Sequence, residues 1–320
     1  MQAILAVTVP FFALVACGWL AAWRRVLPES AIPGLNAYVL YFALPCMLFR
    51  FGNRTPLIEL LNPSLLGVYA LCALLMVFFT IAVTWGARVH LKDAAFGALV
   101  AAFPNSGFMG VPLLVAMLGA AAAGPAICSL LADLFVTTSL CIAIGQAHDA
   151  SGQGPRMAAL RALRGALSNP LPWAIALGAA LAGVALPGPL EVLVRMLGDS
   201  ASPVALFTIG AVLWRAGQHA HSRTPPALYL PVAAIKLLLH PLLVFLAVGA
   251  ARALGAPIPP FQMLVLTLVA ALPSASNVSL LAERYGADNG RVARIIMSST
   301  VLSFVSFTVL AWCFGVVPKA

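Results

Sequence analysis

The chain consists of long apolar runs separated by short polar connections, and most charged residues fall in or near the connections. Of its 320 residues, 62% are hydrophobic and 8% are charged, against about 25% charged in an ordinary soluble domain. A bilayer core about 30 Å thick needs roughly 20 helical residues per crossing. We therefore expect an all-α polytopic membrane protein with no sizeable aqueous domain and no nucleic-acid partner.

Ten transmembrane helices are predicted from the apolar runs and from the turn residues between them. They lie near residues 2–23, 31–49, 64–87, 93–118, 124–147, 167–186, 190–214, 227–250, 260–283 and 290–315. The longest polar connection, 148–165, separates five helices in residues 1–147 from five in residues 166–320. Because five is odd, the two halves enter the membrane from opposite faces, and any similarity between them indicates an inverted repeat.

The distribution of Lys and Arg predicts the orientation, since basic residues in short loops are retained on the cytoplasmic side. With the N-terminus outside, 12 of the 18 basic residues fall in inner connections, 5 in outer segments and Lys236 within a span. We therefore expect both termini on the outer side of the cell membrane and the central loop in the cytoplasm. Contact between the basic inner face and anionic lipid headgroups follows from the same asymmetry.

The fourth helix of each half contains a polar, proline-containing segment in mid-membrane. The first reads AAFPNSGFMGVP and the second reads AALPSASNVSLL. A mid-membrane proline leaves backbone groups unpaired, which is tolerated only inside protein or beside water. Helices 4 and 9 are thus predicted to be broken and to cross at one level, which suits a small anion; an ordinary proline kink is the alternative. The candidate binding residues are Pro104, Asn105, Ser106, Gly107, Pro273, Ser274, Ser276 and Asn277.

Two ionisable residues, Asp133 and Lys236, are predicted to lie near the middle of the membrane, each roughly 14 Å deep at 1.5 Å per residue. Charged groups at that depth usually face a cavity or each other. A buried ion pair and a proton- or substrate-linked coupling role are both open interpretations. His240, a lone histidine before Pro241, is expected to be a packing residue.

Enzyme and metal signatures are missing from the sequence. The six cysteines stand singly in apolar runs, without CxxC or Cys/His spacing, so no metal and no cofactor are predicted. The GxSxG and HExxH motifs are also absent, which argues against a membrane-embedded enzyme. A channel remains a further alternative, although a midplane polar site in an inverted repeat favours a carrier.

Five segments in order along the chain resemble the auxin efflux carrier family of membrane transporters. They read NAYVLYFALPCMLF, PNSGFMGVPLL, SNPLPWAIALG, ALFTIGAVL and LPSASN. The resemblance implies a ten-helix inverted-repeat fold like that of bile acid:sodium symporters. It further implies a scaffold of helices 1, 2, 6 and 7, a moving transport core of helices 3–5 and 8–10, and a homodimer formed through the scaffold.

The same resemblance implies the function of a secondary transporter that works by alternating access. Family members include plant auxin exporters and bacterial permeases for malonate- or malate-like acids, so the expected substrate is a small organic anion. The family's crossover asparagines, which touch the substrate carboxylate, match Asn105 and Asn277. Sodium coupling is an alternative, weakened because no acidic residue adjoins either asparagine; an ion or proton antiporter using Asp133 is another.

Overall fold

The structure is a computed structural model that describes residues 1–55, 62–146, 160, 164–165, 167–218 and 224–318. These residues are helical and form no β-strand, only isolated bridges. Seven helices are long and apolar enough to cross a membrane. The prediction of an all-α polytopic membrane protein is thereby confirmed. The predicted central loop, 148–165, lies almost entirely outside the described residues.

The helices are numbered here in chain order. They are α1 (Gln2–Trp23), α2 (Glu29–Arg54), α3 (Pro63–Thr84), α4 (Leu91–Ala102), α5 (Ser106–Leu118), α6 (Ala120–Gln146), α7 (Pro170–Ala180), α8 (Gly188–Gln218), α9 (Pro226–Ala253), α10 (Pro260–Ala270), α11 (Val278–Arg284) and α12 (Asn289–Cys313). Helices α2, α5, α6 and α9 each contain a π-helical turn. Helix α7 is shorter than its predicted run, 167–186, because the chain turns after Ala180 and Gly183 adopts a left-handed φ of 80°.

Two of the predicted crossings are broken helices. Helix α4 stops two residues before Pro104, and α5 begins two residues after it. Helix α10 stops three residues before Pro273, and α11 begins five residues after it. Proline lacks an amide hydrogen and clashes with the preceding turn, so each helix ends where its proline requires. The predicted breaks are confirmed.

Four glycines bring two pairs of helices into close contact. A Cβ atom at Gly18 of α1 would lie 1.8 Å from a backbone oxygen of α8, and one at Gly210 of α8 would lie 1.9 Å from a backbone oxygen of α1. The same reciprocal arrangement joins α2 and α7. A Cβ atom at Gly52 of α2 would lie 2.6 Å from a backbone oxygen of α7, and one at Gly178 of α7 would lie 2.2 Å from a backbone oxygen of α2. Small residues allow helix backbones to approach closely in membranes. Helices α1, α2, α7 and α8 thus form one tightly packed group.

The first half of each broken helix lies in the interior, while other helices present apolar side chains at the surface. All nine residues of α4 from Ala94 to Ala102 are buried, as are the last six of α10. In α3, by contrast, Leu71 and Phe78 are 53% and 54% exposed. Apolar faces of this kind are expected to contact lipid in a chain with long apolar helices. The ends of α4 and α10 that lead into the two breaks are therefore enclosed by protein.

Arg291, in the first turn of α12, links three helices. It is 2% exposed; its Nε donates to the carbonyl of Leu228 in α9 and its Nη1 to that of Asp93 in α4, both at 2.9 Å. The Asp93 carboxylate accepts the N–H of Asp288 (2.7 Å), and Asp288 caps α12 by accepting the N–H of Arg291 (2.9 Å). Helices α4, α9 and α12 are thereby tied together.

Candidate functional site

The two helix breaks meet and pair through their backbones. The N–H of Asn105 donates to the carbonyl of Pro273 (2.8 Å), and the N–H of Ala275 donates to the carbonyl of Phe103 (3.0 Å). The pairing is a short antiparallel β-bridge. Backbone groups freed by the prolines must find partners where lipid offers none, and here each break supplies the partners of the other. We refer to this paired region, residues 103–106 and 273–277, as the crossing.

The residues predicted from the sequence lie at the crossing, and most are buried. The buried members are Pro104, Asn105, Ser106, Gly107, Pro273, Ser274 and Ser276, while Asn277 is partly exposed. Ser299 of α12, which the sequence does not single out, also reaches this point. Its hydroxyl accepts the backbone N–H of Ser274 (3.2 Å) and lies 3.1 Å from the Ser274 hydroxyl. Helix α12 thus stabilises the second break through Ser299.

The two side-chain amides at the crossing have no protein partner. Within the described residues, neither Asn105 nor Asn277 makes a side-chain hydrogen bond, and Oδ1 of Asn277 is buried. A primary amide offers two donors and an acceptor oxygen. Leaving a buried polar atom unpaired costs about 1–3 kcal/mol, so such atoms call for an explanation. The amide of Asn277, the more exposed of the two, is available to a ligand.

A cavity of about 790 Å³ leads from Asn277 to Arg164 and Arg284. Phe103 and Phe108 line it beside the crossing, whereas Asn105 does not reach it. None of the described residues in its lining is acidic, and the two guanidinium groups therefore make the cavity electropositive. The arrangement suits an anion that ends its path at the amide of Asn277.

Asn36 of α2 lies close to the crossing and was missed by the sequence analysis. It lines the 790 Å³ cavity, a neighbouring cavity of about 650 Å³, and a small pocket that also touches Ser276 and Phe108. In the described part of the chain its side chain makes no hydrogen bond. The sequence feature that could have identified Asn36 is its polar amide within an otherwise apolar predicted helix. Thr138 and Gln146 of α6 line the large cavity as well and are similarly unremarkable in sequence.

Asp133 and Lys236 are both fully buried, and each lies in a π-helical turn. The Asp133 carboxylate accepts hydrogen bonds from the hydroxyls of Tyr69 (3.1 Å) and Thr137 (2.9 Å). The ammonium of Lys236 lies 2.8 Å from Nδ1 of His240 and donates to the carbonyl of Ala270 (3.0 Å). π-Turns are frequent at functional sites because they redirect side chains within a helix. Lys236 thus contacts the last residue of α10, just before the crossing.

No direct ion pair between Asp133 and Lys236 occurs among the described side-chain contacts. Tyr69 and His240 stand between them, with ring centroids 6.1 Å apart. These two residues are fully buried and were not predicted as site residues. A pairing of Asp133 with Lys236, direct or through water, stays a prediction.

Comparison with known proteins adds independent evidence. Residues 3–311 match the family model described as "Membrane transport protein". The chain is 30% identical to the "Putative malonate transporter" of Rhizobium meliloti (strain 1021), covering 98% of this chain and 96% of that protein. It is 26% identical to the "Uncharacterized transporter YfdV" of Escherichia coli (strain K12), covering 92% of each chain. An "Uncharacterized transporter" of Methanothermobacter thermautotrophicus is 28% identical, again over 92% of each chain.

The family match spans nearly the whole chain, and the names of the relatives indicate a membrane transporter and not an enzyme. The apolar helices agree with that assignment. The chain belongs to the membrane transport protein family, the family of auxin efflux carriers that its five sequence segments resemble.

Proposed function

We propose that this protein is a secondary carrier of small organic anions, with carboxylates such as malonate as substrates, and that it works by alternating access around the crossing. The observation that carries the proposal is the electropositive cavity that ends at the unpaired amide of Asn277. The relative whose name includes malonate supports the same substrate class.

The chemistry of the crossing fits a carboxylate. The amides of Asn105 and Asn277 donate hydrogen bonds without contributing a full positive charge, so they bind an anion and still release it. Helix α5 begins directly after Asn105, and the N-terminal end of a helix carries a partial positive charge. Asn36 of α2 shares a small pocket with Ser276 of the crossing and adds a further amide near the site.

Arg164 and Arg284 attract the anion into the cavity, whereas the amides bind it. They line the cavity away from the crossing, where positive potential raises the local concentration of anions and speeds their entry. Small-molecule sites typically occupy about 300–1,000 Å³, and this cavity falls within that range. A three-carbon dicarboxylate occupies only part of it, so water enters with the substrate.

The fold that we propose for this mechanism is an inverted repeat of two five-helix halves. Its support comes from matched contacts: Gly18 and Gly210 join α1 to α8 in the same reciprocal way that Gly178 and Gly52 join α7 to α2. Rotation of one half onto the other exchanges these two contacts. Helices α1, α2, α7 and α8 then form the scaffold, and the helices around the crossing form the transport core that moves against it.

We further propose that the protein lies in the cell membrane with both termini outside. The basic residues of the inner connections support this orientation, and Arg164 and Arg284 are among them. The large cavity then opens toward the cytoplasm, and the conformation described above is inward-facing.

Transport by purified protein in liposomes tests the proposal. Liposomes preloaded with malonate should accumulate labelled external malonate transiently, by counterflow, and the initial rate should saturate with concentration. A channel shows neither behaviour, and product formation would indicate an enzyme. Asn277→Ala should remove the counterflow.

Asn62→Ala is the matched control for Asn277→Ala. Its side chain caps α3 by accepting the N–H groups of Ser64 and Leu65, remote from the cavity lining. The control should lose about 1 kcal/mol of stability and keep its transport. Equal transport by the wild type and Asn277→Ala would remove Asn277 from the site.

A further inference from the structure

A connected set of four buried side chains lies beside the crossing and has no part in binding the substrate carboxylate. We call Tyr69, Asp133, Lys236 and His240 the buried relay. Each of the four is 0% exposed. The Nε2 atom of His240 is also buried and has no hydrogen-bond partner among the described residues. Helices α3, α6 and α9 supply the four side chains, all of which belong to the proposed transport core.

The contact between Lys236 and His240 is a shared-proton arrangement. Nζ and Nδ1 lie 2.8 Å apart, so one nitrogen donates and the other accepts with its lone pair. A proton can pass from Nζ to Nδ1 with no movement of either side chain, which leaves a neutral amine and an imidazolium. The imidazolium can then give its other proton, on Nε2, to a water molecule that reaches this atom when the carrier opens, since Nε2 has no partner among the described residues.

The proton shared by Lys236 and His240 determines the net charge of the buried relay. With one proton on the Lys236–His240 pair and none on Asp133, the buried relay carries one positive and one negative charge. Loss of the proton leaves Asp133 as the single uncompensated charge in a low-dielectric interior, which is costly and repels a nearby carboxylate. Proton and anion therefore favour the same state of the carrier.

Lys236 also connects the buried relay with the crossing mechanically. Its ammonium donates to the carbonyl of Ala270, the last residue of α10, and the chain continues from there into Pro273 and Asn277. A positive charge stabilises the C-terminal end of a helix, where carbonyls have no intrahelical partner. The protonation state of Lys236 thus acts on the half-helix that positions the second break.

We infer that the Lys236–His240 pair binds the proton that accompanies each substrate anion, so that the protein is a proton–anion symporter. The inference rests on the proposed carrier function and adds its coupling ion. In each cycle one proton enters with the anion, resides on the pair, and leaves through Nε2 of His240 after the anion departs. The empty carrier then returns with Asp133 as its unbalanced charge.

The other titratable groups of the described residues near the buried relay lie on the helices that pack against it. Cys72 of α3 and Cys128 and Cys141 of α6 are buried thiols close to Tyr69 or Asp133. Helix α10 contributes the backbone carbonyl of Ala270. The charged residues of the two remaining neighbours lie in their first two turns: Lys92 and Asp93 in α4, and Arg291 and Arg294 in α12.

The test measures malonate and proton movement in the same proteoliposomes. An inward malonate gradient is imposed at neutral pH with a pH-sensitive dye trapped inside, and labelled malonate is followed in parallel. The wild type should acidify the lumen as malonate enters. His240→Gln, which retains hydrogen bonding but cannot take up the proton, should abolish acidification and keep malonate–malonate exchange, because exchange needs no net proton movement.

Two further variants make the outcome decisive. Lys236→Met should also lose acidification, while His90→Gln, a change at an exposed histidine before α4, should behave as the wild type. Malonate entry without acidification in the wild type, or acidification unchanged in His240→Gln, would overturn the symport and leave the carrier function intact. Absence of malonate movement in the wild type would instead overturn the proposed function, and the symport with it.

Discussion

The backbone N–H of Asn105 donates a 2.8 Å hydrogen bond to the carbonyl of Pro273, so each broken helix provides the partner that the other lacks. The reciprocal bond runs from Ala275 to Phe103. Two prolines that would each be costly in mid-membrane thereby create one enclosed region with paired backbone and unpaired amide side chains. The geometry of the site depends on this pairing.

Ala275→Pro removes the N–H that donates to Phe103 and should open the crossing. A proline that deletes an internal backbone hydrogen bond costs about 3 kcal/mol, so the melting temperature should fall and malonate transport should be lost. Ala275→Gly keeps the N–H and should retain transport. Similar melting temperatures for the two variants would show that the bond is dispensable.

The close contact of α1 with α8 can be tested at Gly210. An added Cβ would lie 1.9 Å from the carbonyl oxygen of Val15, so Gly210→Ala must separate the helices and should cost about 1–3 kcal/mol or more. Gly67→Ala is the control, since a Cβ there meets nothing within 4 Å. Thermal unfolding in detergent compares the two, and an unchanged melting temperature for Gly210→Ala would contradict the packing.

The local consequences of single residues could be predicted from the sequence, but their distant partners could not. Pro104 and Pro273 end their own helices, and both breaks were predicted. That each break pairs with the other depends on residues far apart in the chain. Arg291 shows the same limit: it lies at the start of the predicted helix 290–315, but the carbonyls of α4 and α9 to which it donates could not be predicted.

The polar residues of the cavity illustrate a second limit. Asn36 occupies one position in an apolar span, and nothing in the periodicity distinguishes a cavity-facing amide from one that bonds within its own helix. His240 was expected to be a packing residue for the same reason. Its spacing of four residues from Lys236 places both on one helix face, so their 2.8 Å contact was a signal in the sequence that went unused.

A double-mutant cycle tests the electrostatic dependence of Asp133 on Lys236. Asp133→Asn and Lys236→Met each remove one charge from a fully buried pair of opposite charges, and each should cost roughly 3–5 kcal/mol. The double variant should recover much of that loss, since it leaves no uncompensated charge. Melting temperatures that fall additively would show that the two residues are independent.

Cysteine labelling tests the orientation. In a background with the six native cysteines replaced, Ser151→Cys in the central loop, outside the described residues, should react only with reagent supplied from the cytoplasm. Ala253→Cys, at an exposed position beside Arg252 in a predicted outer connection, should react only from outside. The reverse pattern would overturn the topology and the assignment of the cavity to the cytoplasmic face.

The most direct measurement of the central claim is calorimetric binding of malonate to the purified protein and to Asn277→Ala, with Asn62→Ala as the control. The wild type and Asn62→Ala should bind malonate, whereas Asn277→Ala should lose roughly tenfold or more in affinity, as expected when a hydrogen bond to a charged ligand worth about 1.5–3 kcal/mol is removed. Equal affinity of the wild type and Asn277→Ala would contradict the assignment of the crossing as the substrate site.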